Sequence, residues 1–322
     1  MLSRRELLAG SAALALSATL SPPAAFARAP IAGKQVPGIY RQQFGAFEVT
    51  ALLDGDFTFP PELFPDAKPE EQQALAARAF IPFPVQSPCN AYAVNTGDKL
   101  YLIDTGTGTF GTAFPGTHLG YLNETLAAAG IARDDVDAIL LTHLHPDHFG
   151  GLVREREVQF PKAEIIAPEA DIKFWLNPEV AAQAPADAKM FFEMAVTTMK
   201  PYESRTRQIA PSGPVVPGIE AVALPGHTVG HTGYMLGSGN DRLLMWGDIV
   251  HSAALQFPHP EWTIPFDTDR PQAAAARKRA FDMAATDRIM IAGMHLPFPG
   301  LGHVEKDGER YVYQPVAWTP KY

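Results

Sequence analysis

The chain has 322 residues, 46% of them apolar, and a single cysteine, so it can bury a large core but cannot close an internal disulfide. Its formal net charge of −9 opposes contact with a phosphate backbone and sets nucleic-acid partners aside.

Residues 1–27 read as an export signal: Arg4 and Arg5, an uncharged apolar stretch from Leu7 to Leu20, then Pro22, Pro23 and small residues at Ala25 and Ala27. That stretch is too short to span a bilayer comfortably, although an N-terminal membrane anchor is the alternative reading. The Ser-Arg-Arg-x-Leu-Leu pattern resembles a twin-arginine signal. The mature chain, 28–322, is therefore expected in the periplasm or secreted, as one domain behind an N-terminal arm and without stable membrane insertion after processing. Cleavage would remove Arg4, Arg5 and Glu6 and move the net charge to about −10.

After an arm to about Gly45, the runs "FEVTALLDG", "NAYAVNTG" and "KLYLIDTG" each close on Gly with Asp or Thr, the pattern of strands joined by tight turns. "LGYLNETLAAAG" has apolar residues at helical spacing and ends on Gly130, which predicts a helix from Leu119 to Ala129. "VDAILLTH" follows as a buried strand. After "AEIIAP" come helices at "PEADIKFWL" and near "DAKMFFEMAVTTM". "GIEAVALPGHT", "TGYMLG" and "RLLMWGD" repeat the strand-then-turn theme, before a helix from about Arg270 to Ala284 and a last strand, "RIMIAGMH". Strands alternating with helices give an α/β class, with polar motifs at strand ends where such folds place their sites.

The densest of those motifs is "LLTHLHPDHFGG", which puts His143, His145, Asp147 and His148 within six residues of an apolar run. At an extended strand end, residues two apart face one side, so His143, His145 and Asp147 can line one cavity while His148 turns elsewhere. His227 in "LPGHTVGHT", Asp248 in "MWGDIV" and His295 in "AGMHLPF" each follow a later apolar strand. Imidazoles and carboxylates without thiolate suit Zn²⁺, with Mn²⁺, Fe²⁺ or Co²⁺ as competitors. Two such cations about 3.5–4 Å apart can share and acidify a hydroxide. A lone histidine is usually ordinary, and His118, His259 and His303 have no motif around them; His231, which repeats the Gly-His-Thr triplet, is expected to fix its loop.

"THLHPDH", the "GHT" loop, the "GD" aspartate and the late "MH" histidine together resemble the metallo-β-lactamase superfamily, whose members are four-layer αβ/βα sandwiches holding two metals. The resemblance implies His143, His145 and His227 on the first metal, Asp147, His148 and His295 on the second, and Asp248 bridging them. It also implies a supporting role for Asp104 in "LIDTG". The run "THLHPDHFGGL", the segments "EADIKFWL" and "KMFFEMA" and the ending "HLPFPGLGHVEKDGERYVYQPV" are similar to the methyl parathion hydrolase group and its lactonase and aryl-esterase relatives. That similarity implies an aromatic substrate pocket at Phe110, Trp175 and Phe191, and a homodimer.

The expected activity is hydrolysis of a small lactone or aryl ester by a metal-bridging hydroxide, with Asp248, Asp147 and His251 nearest the chemistry. His251, three residues after Asp248, tilts the reading toward carbon esters, because it can offer a proton or hydrogen bond to a departing oxygen. Phosphotriester hydrolysis is expected as a side activity, and as the main one in the alternative reading. An iron-dependent oxidoreductase of the same fold is the rival from another class, and a metal-stabilised protein without turnover is a further one. A glutathione thioester hydrolase ranks low, since the C-terminal segment has no basic cluster.

Overall fold

The computed structural model describes residues 29–113, 118–186 and 188–320, and the expected export signal lies outside them. The chain divides into a unit through Val36 and one from Pro37 onward. Residues 29–36 form no helix or strand. No described helix is long and apolar enough to cross a membrane.

The second unit contains β1 (Ile39–Phe44), β2 (Phe47–Phe59), β3 (Val85–Asn95), β4 (Leu100–Ile103) and β5 (Ala138–Leu140). A small hairpin of β6 (Val153–Arg154) and β7 (Glu157–Val158) precedes β8 (Glu164–Pro168) and β9 (Thr206–Ile209). Then come β10 (Gly213–Val216), β11 (Ile219–Ala223), β12 (Thr232–Ser238), β13 (Asp241–Met245), β14 (Met290–Ala292), β15 (Leu301–Asp307) and β16 (Arg310–Pro315). One seven-stranded sheet has the order β1-β2-β3-β4-β5-β8-β9, the other β10-β11-β12-β13-β14-β15-β16. The steps from β4 through β5 and β8 to β9 are parallel, as is β13 with β14.

Because successive strand side chains point to opposite faces, each central strand feeds two cores. In β4, Tyr101 and Ile103 join the core between the sheets while Leu102 joins the helices outside; β5 sends Ala138 and Leu140 inward and Ile139 outward. In β13, Leu243 and Met245 meet the first sheet, and Leu244 packs with Ala276, Ala280 and Phe281 of the helix Arg270–Thr286. On the other side Ile172, Trp175, Phe192 and Met199, from helices Glu169–Trp175 and Lys189–Met199, cover the first sheet. The layers are thus helix, sheet, sheet, helix, as expected.

Several local features differ from the sequence reading, among them the arm expected to about Gly45, whose Ile39–Phe44 pairs with β2 as a strand. The helix expected from Leu119 starts at Leu122, because Gly120 takes φ +90° and the buried Asp54 carboxylate accepts the N–H groups of Gly120 (3.2 Å) and Leu122 (2.9 Å). At its other end Gly130, φ +75°, follows the helix as expected. A helix at Pro69–Arg78 and the β15–β16 hairpin were not expected; the hairpin lies at the sheet edge, with much of its length exposed, so it lacks a long apolar run.

Candidate metal centre

Each candidate ligand lies just beyond the C-terminal end of a strand. His143 and His145 follow β5, and the short helix Pro146–Phe149 carries Asp147 and His148. His227 follows β11, Asp248 sits in the turn Gly247–Ile249 after β13, and His295 follows β14. The fold brings all seven together. Ligand atoms of His143, His145 and His227 lie within 4.8 Å of one another, as do those of Asp147, His148, Asp248 and His295. Asp248 stands between the groups: its Oδ2 is 3.4 Å from His227 Nε2 and 3.2 Å from His295 Nε2, and its Oδ1 is 3.2 Å from His148 Nε2.

Two glycines make this convergence sterically feasible. At Gly247, φ +59°, a Cβ would lie 2.4 Å from His231 Nε2, the atom that accepts the Asp248 N–H at 2.8 Å. At Gly226, φ +129°, a Cβ would lie 2.2 Å from Ala273 N, where the helix Arg270–Thr286 begins. Thr268 N–H donates to His227 O at 3.0 Å, so that helix start holds the His227 loop. His231, whose other ring nitrogen meets Leu224 O at 2.8 Å, fixes its loop as expected.

The outer partners select the nitrogen that faces the cluster. Nδ1 of His148 meets Asp104 Oδ2 at 2.7 Å, Nδ1 of His227 meets Asp267 Oδ1 at 2.8 Å, and Nδ1 of His295 meets Pro88 O at 2.7 Å. Thr142 donates its hydroxyl to Asp104 at 2.8 Å, which leaves that oxygen to accept from His143 Nδ1 at 3.0 Å. In each case the outer partner engages Nδ1 and leaves Nε2 as the nitrogen turned inward, the arrangement that orients imidazoles on a metal. His145 differs, facing His227 Nε2 through its Nδ1 at 2.9 Å.

His143 Nε2, His148 Nε2 and Asp248 Oδ1 are buried and make no hydrogen bond, although all point into the cluster. Buried polar atoms are nearly always satisfied, so this donor set fits a pair of divalent cations. The electrostatics agree. Burial drives His143 and His145 well below the ordinary histidine range, where they stay neutral. Burial opposes protonation of His227 and His295 as well, but Asp248 with Asp267, and Asp248 with Asp147, outweigh it and raise them to about 9 and about 10. Burial likewise opposes ionisation of Asp248, yet His148 and His295 hold its carboxyl well below the usual range. Without cations, the carboxylates recruit protons onto the neighbouring imidazoles.

Aromatic rings flank the cluster. Trp175 and Phe191 lie 5.3 and 6.4 Å, centroid to centroid, from the His145 ring, and Phe191 also meets Phe266 at 6.1 Å. Phe110 sits one step back, against Phe149 at 6.2 Å. Opposite, Phe57 and Phe59 lie 5.8 and 6.1 Å from the His295 ring. His251 Nε2 is 3.2 Å from Asp248 Oδ2, and burial lowers its pKa to about 4.

Sequence reading missed Phe57, Phe59 and Phe266, and missed Asp267 and Asp171. Asp171 ties two ligand loops together, accepting from Leu144 N–H and Thr228 hydroxyl, both at 2.8 Å, and from Gly230 N–H at 2.6 Å. Its signal was an acidic residue beside Ile172 and Trp175 on a buried helix face. His118 and His303 are exposed and His259 stacks on Trp262, so none of the three joins the site.

Comparison with known proteins agrees with this geometry. The family described as the metallo-beta-lactamase superfamily matches residues 84–295. A crystal structure of the hydrolase AbOPH, described as in the beta lactamase superfamily, is 35% identical, with a TM-score of 0.83 over 89% of this chain and 100% of that one. AidC, described as a dizinc quorum-quenching lactonase in complex with a product, is 27% identical, with a TM-score of 0.82 over the same shares. A Mycobacterium bovis protein named "Probable metallo-hydrolase Mb2322c" is 26% identical over 221 residues, 58% of this chain and 65%, just under two thirds, of that one. The chain belongs to the metallo-β-lactamase superfamily and is a metal-dependent hydrolase of that fold.

Proposed function

We propose that this hydrolase opens lactones or cleaves aryl esters, with slower hydrolysis of phosphotriesters. The observation that carries the reading is the pairing of His251 with an aromatic-walled approach to the seven-ligand cluster. The likeness to a dizinc lactonase supports it.

His143, His145 and His227 would hold one divalent cation, Asp147, His148 and His295 the other, and Asp248 would bridge them, with Zn²⁺ as first choice. Bound there, such a pair supplies acidified water and positive charge for a developing oxyanion. Trp175 and Phe191 on one side, and Phe57 and Phe59 on the other, grip the apolar part of the substrate and exclude bulk water from the carbonyl. His251, neutral at neutral pH, donates its Nε2 N–H to Asp248 Oδ2 at 3.2 Å, and would turn that N–H to the departing oxygen once Asp248 engages the cations. Burial keeps this imidazole unprotonated, so it acts by hydrogen bonding and not as a cation. An ester or lactone alkoxide gains from that donor, whereas an aryl phosphotriester mainly needs apolar walls.

The test is a panel of a lactone, an aryl ester and a phosphotriester on zinc-reconstituted protein against an apo control. Lactone or aryl ester should lead and the apo protein should be inert. Phosphotriester preference by orders of magnitude would reverse the ranking. We place the working protein in the periplasm or outside the cell, on the strength of the N-terminal sequence pattern.

A further inference from the structure

We propose that residues 87–90 of β3 form a positioning strip for the site loops, and that Pro88 and Asn90 within it set the affinity of the second cation through the loop of His295. The inference rests on the two-metal reading. Strand β3 outruns β4: their pairing stops at Tyr92 with Ile103, so residues 85–91 offer an edge that β4 does not cover. Pro88, which has no N–H, fits this strand because the backbone N–H and C=O of its register partner Asp56 are used by His118 on the far side (3.0 and 3.1 Å).

On the uncovered edge, all four residues bond the site loops. Ser87 donates its hydroxyl to His251 O at 2.8 Å. Pro88 O receives His295 Nδ1 at 2.7 Å, and the Cys89 thiol meets Asp147 O at 3.5 Å. Asn90 N–H donates to Met294 O at 2.8 Å, and its side-chain amide donates to Gly293 O at 3.1 Å and Leu296 O at 2.8 Å, on either side of His295. Tyr92 adds its hydroxyl to Gly293 O at 3.0 Å.

Through Ser87, Pro88, Asn90 and Tyr92, a strand of the first sheet thereby fixes loops that follow strands of the second. Ser87 and Asn90 are each 1% exposed, so water does not compete for these bonds. The hydrogen bonds of Asn90 go to backbone carbonyls of the His295 loop and not to a ligand side chain. It acts through the backbone of residues 293–296, setting where His295 Nε2 points relative to Asp147 and Asp248 (3.3 and 3.2 Å).

The test is equilibrium Zn²⁺ binding, with a competing chelator, to the full chain and to Asn90→Ala, Ser87→Ala and Tyr92→Phe, with circular dichroism and thermal midpoints alongside. Two bound zinc ions in the unaltered protein are the premise, and fewer would defeat the two-metal reading itself. Given two, Asn90→Ala should weaken one zinc about 10- to 100-fold, the usual effect of removing an outer partner, and leave the other unchanged. Ser87→Ala, which frees the His251 segment and leaves the His295 loop anchored, should keep both. Tyr92→Phe should weaken the same zinc less, and it carries the test if Asn90→Ala does not fold. Equal weakening of both zinc ions, or retention of both in Asn90→Ala and Tyr92→Phe, would overturn the proposal, because a merely structural role lowers the thermal midpoint without separating the two.

Discussion

Changing Asp104 to asparagine should remove one zinc before the other, through a proton on the wrong nitrogen. Asp104 Oδ1 accepts the Thr142 N–H at 2.8 Å, while Oδ2 meets both the Thr142 hydroxyl, at 2.8 Å, and His148 Nδ1, at 2.7 Å. An asparagine must keep its oxygen toward the Thr142 N–H, which turns its amide nitrogen toward His148. Two donors then face each other across 2.7 Å unless His148 shifts its proton to Nε2. That nitrogen faces Asp248 Oδ1 at 3.2 Å and is the atom that would coordinate. Disrupting such an orienting pair typically costs 10- to 100-fold in metal affinity, or about 1.4–2.7 kcal/mol. The loss should fall on the cation of Asp147, His148 and His295, and spare that of His143, His145 and His227. The same substitution removes a hydrogen bond to a buried charge, worth about 1.5–3 kcal/mol, so the thermal midpoint should fall too. Zinc titration against a chelator separates the two effects. Two zinc ions held as tightly as in the unaltered protein would refute the tautomer reasoning.

Asp248→Asn should abolish turnover, by about 10³-fold or more in kcat, while circular dichroism stays native; unchanged activity would mean the bridging role is misassigned. Zinc binding should release protons near pH 8, about three per chain, because, against burial, neighbouring carboxylates raise His148 well above the ordinary histidine range, His227 to about 9 and His295 to about 10, and all three must be neutral as ligands. The sign follows: affinity falls as pH drops, and calorimetry in buffers of different ionisation heat reads the proton count, with zero release contradicting it. Phe59→Ala, at a half-buried wall position, should raise KM for an aryl ester several-fold and destabilise less than Trp175→Ala, at a 6%-exposed site, which should cost about 3–5 kcal/mol. Chemical denaturation and steady-state kinetics on the two variants distinguish these outcomes.

The ligands were legible in sequence because each stands where an apolar strand breaks at a turn, and the four around Leu144 are contiguous. Residues that orient them were harder to see. Asp267 reaches His227 from a loop forty residues away, and Pro88 contributes only a carbonyl oxygen, which any residue type carries. The aromatic wall was half legible for a related reason. Trp175 and Phe191 lie in helices with clear patterns, whereas Phe57 and Phe59 lie beyond the bulge at Leu53–Gly55, where β2 continues past the point its terminal glycine pattern implied. The helix boundary at Leu122 depended on the long-range partner Asp54, which local spacing does not encode.

The central claim is that seven side chains from four strand ends hold two cations bridged by Asp248. The most direct test is an anomalous difference map from crystals of the zinc-reconstituted protein. Two peaks about 3.5–4 Å apart, one among His143, His145 and His227 and one among Asp147, His148 and His295, with Asp248 between them, is the result expected. A single peak, or a pair elsewhere in the chain, would contradict it.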